Sequence, residues 1–188
     1  MAGVARGEDG LWRCSWAVGP LYEAYHDDEW GRPVRDDNPL FEKISLEAFQ
    51  SGLSWITILR KRPRFREVFA GFDPEAIAQF GEADVERLMT DAGIIRNRAK
   101  ILATISNARL VTEMSEGELD ALMWSFAPAE HARPTSFAQV PATTPASDAM
   151  SKALRKRGFR FVGSTTMYAL MQSAGMVDDH VTGCWRVA

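Results

Sequence analysis

An all-α fold is predicted by three features of this 188-residue chain. No stretch alternates apolar and polar residues in the manner of a half-buried strand. Apolar residues recur instead at three- and four-residue spacings, most clearly in residues 46–59, LEAFQSGLSWITIL. Helix starts of the cap-then-proline kind occur at Asn38-Pro39 and Asp73-Pro74.

Taken in order, residues 1–11 read as a disordered tail, and residues 12–31 are dense in aromatics: Trp12, Trp16, Tyr22, Tyr25 and Trp30. A helix is expected from Asn38 to about Lys61, irregular at Gly52 and ended by Pro63. A short helix follows at about 74–80, another from Glu82 to Ala92-Gly93, and a third directly after the glycine. The last two form a helix-hairpin-helix at about 91–97, whose second helix offers free backbone N–H groups to a phosphate beside Arg96, Arg98 and Lys100. Further helices are expected at 118–126, at 148–157 with Ser147 or Thr144 as cap, and at 163–174, closed by Gly175. Residues 127–146, rich in Pro, Ala, Thr and Ser, read as a surface loop. The expected organisation is one unit, 12–188, of two helical lobes: 12–37 with 147–188, and 38–146 carrying the hairpin.

The composition, 46% hydrophobic and 25% charged, excludes disordered and fibrous classes. With no apolar leader and no membrane-length span in the sequence, a cytoplasmic protein with no membrane role is expected. The net charge of −3 hides an uneven distribution. Thirteen of the 22 Lys and Arg residues lie in RKRPRFR at 60–66, in KALRKRGFR at 152–160, and at Arg96, Arg98 and Lys100. Three acid-free patches fit a phosphate-binding face, although any one of them also fits a solvated helix surface.

Two features carry chemistry. Glu47 shares a helix face with Gln50, Ser51, Ser54 and Trp55, opposite Phe49, Leu53, Ile56 and Leu59, so one side packs and the other forms a polar cleft with an aromatic wall. No cation lies within its stretch, though a basic partner from elsewhere remains open. Tyr25, Trp16 and Trp55 belong on the cleft side, where their rings suit stacking on a flat heterocycle. Separately, Cys14 and His26 near one end and His180 and Cys184 near the other make a complete tetrahedral set for one structural Zn²⁺, with buried free thiols as the alternative. His131 has no comparable partner in sequence and is expected to be exposed.

The segments RCSW, PLYEAYHDDEWG, LFEKISLEAFQSGLSWITILRKR, DAGIIRNRAKI, SDAMSKALRKRGFRFVG and DHVTGC together resemble the DNA-3-methyladenine glycosylase I (Tag) family of helix-hairpin-helix DNA glycosylases. The resemblance covers nearly everything after residue 12 and implies zinc ligation by Cys14, His26, His180 and Cys184. It implies a methylated-base pocket formed by Tyr25, Glu47 and Trp55 with Trp16 nearby, Glu47 being the catalytic candidate. Gln50 and Leu53 match positions that intrude into the DNA where the base leaves, and Gly93, Arg96, Arg98 and Lys100 become backbone contacts. The implied activity is monofunctional hydrolysis of the N-glycosidic bond of 3-methyladenine in alkylated double-stranded DNA, with the free base and an abasic site as products and a monomer as the working form. A zinc-stabilised DNA-binding module without catalysis is the competing class. The acid usually found after the hairpin in the wider superfamily is missing at that place; Asp120 is the nearest, and its context LDALMW suits a helix surface.

Overall fold

The computed structural model describes residues 3–186. Among them the chain forms a two-stranded antiparallel sheet, β1 (Val4–Arg6) and β2 (Trp12–Cys14), followed by nine α-helices. The sheet departs from the all-α expectation and from the expected tail. Val4 pairs with Cys14 and Arg6 with Trp12. Arg13 fastens the turn by donating to both carboxylate oxygens of Asp9 at 2.9 and 2.6 Å. A three-residue strand is too short to show its alternation in sequence.

The helices are α1 (Pro20–Asp28), α2 (Asp37–Gln50), α3 (Trp55–Val68), α4 (Pro74–Ala78), α5 (Glu82–Thr90), α6 (Arg98–Thr112), α7 (Glu118–Trp124), α8 (Pro145–Lys156) and α9 (Ser164–Ser173). The single helix expected over 38–61 is two. It breaks at residues 51–54, where Gly52 takes φ of +82°, a value that costs glycine little. Pro63, expected to end the helix, lies inside α3 instead. The helix continues past it because Phe65 and Val68 are buried in the core, and because Arg62, Arg64 and Arg66 reach Glu29, Asp91 and Glu42. Such tertiary contacts outweigh the lost backbone bond. Thr144, not Ser147, is the cap of α8; its hydroxyl accepts from the Ser147 N–H.

The starts of α2 and α7 cap each other. The Asp37 carboxylate accepts from the N–H groups of Gly117 and Asp120, and the Asp120 carboxylate accepts from the Asp36 N–H and from Arg35. Asp120 is therefore a capping residue.

Two apolar clusters build the interior. The larger joins α2, α3, α5, α6 and α7 to α8 and α9 through Phe41, Phe49, Phe65, Ile101, Met150 and Met171. The smaller holds Cys14, Tyr25, Trp30, Leu59, Val181 and Cys184. Val181 and Cys184 join the N-terminal residues in the smaller cluster, whereas α8, α9 and the residues directly after α9 pack in the larger one. No helix among the described residues is long and apolar enough to cross a membrane.

Candidate functional site

Where the two clusters meet, a cavity of about 360 Å³ opens. Its lining comes from the aromatic N-terminal segment (Trp16, Tyr22, Tyr25, Trp30), from α2 (Glu47, Gln50), from α3 (Trp55), from the loop after α7 (Phe137, Val140) and from α9 (Ala169, Gln172, Ser173). The four residues read from sequence as a cleft, Tyr25, Glu47, Trp55 and Trp16, meet here. Tyr22, Trp30, Ser173 and Gln172 join them. The first two stood in the aromatic run, whereas nothing local in the sequence singles out Ser173 or Gln172.

The aromatic walls are mutually braced. Tyr25 and Trp55 have ring centroids 5.4 Å apart at 43°, and Trp16 packs edge-on against Trp30 at 5.1 Å and Tyr22 at 5.4 Å. The Tyr22 hydroxyl accepts from the Ile56 N–H and so pins the start of α3, where Trp55 sits. Burial, with Glu47 next, holds the Tyr25 phenol well above its ordinary pKa, so it stays a neutral donor.

Glu47 is 4% exposed. One carboxylate oxygen accepts from the Ser173 hydroxyl at 3.2 Å, and the other, Oε2, is buried with no hydrogen-bond partner. No ion pair reaches it among the described residues. Burial pushes its pKa up to about 7, opposed by the positive charge of Lys43 one helical turn earlier and by the Ser173 bond. Lys43 itself donates to the Ser173 carbonyl at 3.3 Å. The indole Nε1 of Trp55 is likewise buried and unpaired. Unmet buried polar atoms are costly, and two in the lining of one cavity mark a place for a polar ligand.

Gln50 lines this cavity and, together with Leu53, a neighbouring pocket in which residues 51–53 face Thr165 and Thr166 of α9. Leu53 is 43% exposed. Lys100, expected to meet phosphate, is buried and does something else. Its ammonium donates to the carbonyls of Phe49 and Ser51 at 2.8 and 2.6 Å, closing the end of α2 and fixing the 51–54 loop. Replacing Lys100 with methionine strands both carbonyls and is expected to cost about 2 kcal/mol, lowering the melting temperature by roughly 4–8 °C; an unchanged melt would contradict the anchor.

Part of the rest of the expected phosphate face pairs within the fold, while Arg60, Lys152, Arg155, Lys156 and Arg160 make no ion pair among the described residues. Arg98 binds Glu82 and Glu86, Arg64 binds Asp91 and Glu67, and Arg157 binds Glu118. Gly93 donates its N–H to Asp91, and a side chain there would strike Arg64 Cγ. Arg96 is exposed at the hairpin and makes no ion pair among the described residues.

At the far side of the aromatic wall, Cys14, His26 and Cys184 bring their ligand atoms within 4.8 Å of one another, all three buried. The cysteines are free thiols. The Cys184 sulfur lies 3.4 Å from His26 Nε2. Contact between the two sulfurs pulls the Cys184 pKa down and pushes that of Cys14 up. The fourth expected ligand, His180, falls outside that tight trio but faces it: its ring lies 4.9 Å from that of His26, and its Nε2 is buried without a partner. Both imidazoles are held by their other nitrogen, His26 to Asp27 at 2.7 Å and His180 to Asp178 at 2.8 Å, which leaves Nε2 as the lone-pair side. Gly31 is required beside them, because a Cβ would come within 2.7 Å of His180 Cε1. The donor set, its burial and the orphaned nitrogen fit a tetrahedral Zn²⁺. His131, although exposed, is not partnerless: its Nε2 lies 2.8 Å from Asp179 Oδ1.

Comparison with known proteins gives a concordant result. The sequence model of the family described as methyladenine glycosylase matches residues 15–187. DNA-3-methyladenine glycosylase 1 of Escherichia coli (strain K12) is 52% identical over 177 residues, covering 92% of this chain and 95% of that protein. The Haemophilus influenzae DNA-3-methyladenine glycosylase is 48% identical over 179 residues, covering 92% and 96%. Among solved structures, a crystal structure of 3-methyladenine DNA glycosylase I superposes with a TM-score of 0.89 at 50% identity, covering 94% of this chain and 100% of that one. The Staphylococcus aureus enzyme, whose structure addresses 3-methyladenine recognition, superposes with a TM-score of 0.85 at 32% identity, covering 92% and 95%.

Proposed function

Because this chain belongs to the DNA-3-methyladenine glycosylase I family, hydrolases of N-glycosyl bonds that serve base-excision repair, we propose that Glu47 recognises a flipped-out N3-methylated adenine and promotes its release. The carrying observation is the unpartnered, buried Glu47 Oε2 in an aromatic-walled cavity.

Methylation at N3 makes the deoxyadenosine base cationic and its glycosidic bond weak, so no strong acid is needed to expel it. The requirement is to hold the extruded nucleotide and favour the step in which charge leaves the base for an oxocarbenium-like sugar. An ionised Glu47 accepts hydrogen bonds from the amino edge of the base, and its charge favours the cationic methylated base over a neutral one. Tyr25 adds a hydroxyl donor, while Trp55 and Trp16 supply π-faces. Gln50 and the exposed Leu53, on the loop anchored by Lys100, fill the gap the base leaves. Arg96 and the backbone N–H groups of the hairpin beyond Gly93 hold the DNA backbone, with Gly93 giving the close turn and Arg98 placing the helix start through its acid pairs. No lysine is among the described residues that line the cavity, which supports a monofunctional reaction in which water, not an enzyme nitrogen, attacks the sugar and an abasic site remains.

Cys14, His26, His180 and Cys184 would hold one Zn²⁺, which supplies bracing and no chemistry at the base. We place the enzyme in the cytoplasm as a monomer acting on alkylated duplex DNA. The test is chromatographic detection of bases released from methylated DNA by the purified protein: free 3-methyladenine is expected, and a protein that binds duplex but releases nothing would leave only a DNA-binding module.

A further inference from the structure

Gln172 lines the same cavity from α9, beside Ser173, which binds Glu47. Its amide is not free to choose its orientation. The amide nitrogen Nε2 donates to Asp179 Oδ2 at 2.6 Å, and that same oxygen receives the Tyr168 hydroxyl at 2.7 Å. Asp179 is 3% exposed, and His131 Nε2 meets its other oxygen at 2.8 Å. A carboxylate has only acceptors, so it takes the NH₂ end of an amide and leaves the carbonyl end for the cavity. The carbonyl oxygen of Gln172 receives no hydrogen bond among the described residues.

Resting on the base-excision reading above, we infer that Gln172 is a specificity-determining residue: its carbonyl oxygen, oriented by Asp179, joins Glu47 in presenting two acceptors to the base. A base with an exocyclic amino group has two N–H donors to meet two acceptors. A base with a ring carbonyl at that position, such as 3-methylguanine, places an oxygen against them and leaves buried acceptors unpaired. Sites built to hydrogen-bond an N–H group reject analogues that lack it more strongly than apolar pockets reject a change of shape.

The experiment compares release of 3-methyladenine and 3-methylguanine from duplexes carrying one or the other, using wild type, Gln172→Met and Tyr168→Phe. Gln172→Met keeps the side-chain length and removes the acceptor. It is expected to lower the ratio of the two release rates by about tenfold, the effect of one lost hydrogen bond, and to weaken binding of free 3-methyladenine by a similar factor. Tyr168→Phe loosens Asp179 equally but leaves the Gln172 carbonyl in place, so its ratio should stay within about twofold of wild type. An unchanged ratio in Gln172→Met, or an equal fall in both variants, would overturn the inference. A wild-type protein that released neither base would overturn the base-excision reading, and this inference with it.

Discussion

Replacing Glu47 with glutamine is expected to abolish most excision of 3-methyladenine while making the folded protein more stable. The loss follows from charge: glutamine keeps the shape but presents no anion to the positive charge that passes from the methylated base to the oxocarbenium-like sugar as the neutral base departs, and removal of one such preorganised group costs about a hundredfold or more in rate. The gain follows from linkage. A buried carboxyl whose pKa is raised from 4.5 to about 7 binds its proton more tightly folded than unfolded. Stability therefore falls as pH rises through that interval, and the penalty is fully present above pH 7. Its removal is worth roughly 1–3 kcal/mol at neutral pH, read as a rise of several degrees in thermal melts at pH 8 that vanishes near pH 4. The same ionisation makes wild-type excision rise with pH through about 7. A Glu47→Gln variant with full activity, or one less stable than wild type at pH 8, would contradict this.

Replacing Cys184 with serine is expected to empty the metal site. The smaller cluster packs around that site, and the site's histidines also support the cavity wall: Trp16 lies edge-on to His26 at 5.3 Å and Trp30 to His180 at 4.6 Å. Without a bound metal, two thiols and an unpaired imidazole nitrogen would stay buried together and link the sequence's two ends only weakly. The variant should lose zinc by elemental analysis and about 3 kcal/mol or more of stability, with a melting temperature lower by roughly 6–12 °C. Chelator treatment of wild type should reproduce the shift. Excision per folded molecule should change less than stability does, since Cys184 is not among the residues lining the cavity. A variant that stays metal-replete and equally stable would refute the staple.

The residues whose meaning is chemical were legible in the sequence, and those whose meaning is geometric were not. A lone carboxylate among apolar residues, aromatics crowded into twenty residues, and Cys and His at both ends each stand out by residue type, and the fold gathers them into one cavity and one cluster. Lys100 carries the same charge as Arg96, yet one is buried against carbonyls and the other exposed; only the approach of α6 to the end of α2 separates them. The ion pairs within the basic patches are hidden for the same reason. Their acidic partners, Glu29, Glu42, Asp91 and Glu82, lie 12 or more positions away, and no local reading finds them. Pro63 shows in the sequence only its intrinsic cost, which the packing of Phe65 and Val68 exceeds. The N-terminal strand escaped notice because three residues make no period. Gln172 and Ser173 gave no signal at all, being polar residues on a helix whose neighbours are decided by the fold.

The proposed chemistry requires the Glu47 carboxyl to stand buried, with one oxygen unpaired, in the cavity proposed to take the base. Its most direct test is a carbon-13 NMR titration of the glutamate carboxyls, with the Glu47 resonance assigned by its absence from Glu47→Gln. A midpoint near 7 in the free protein, and a clear shift of that resonance when 3-methyladenine is added, is the outcome expected here. A midpoint in the ordinary carboxylate range, or a resonance indifferent to the base, would contradict it.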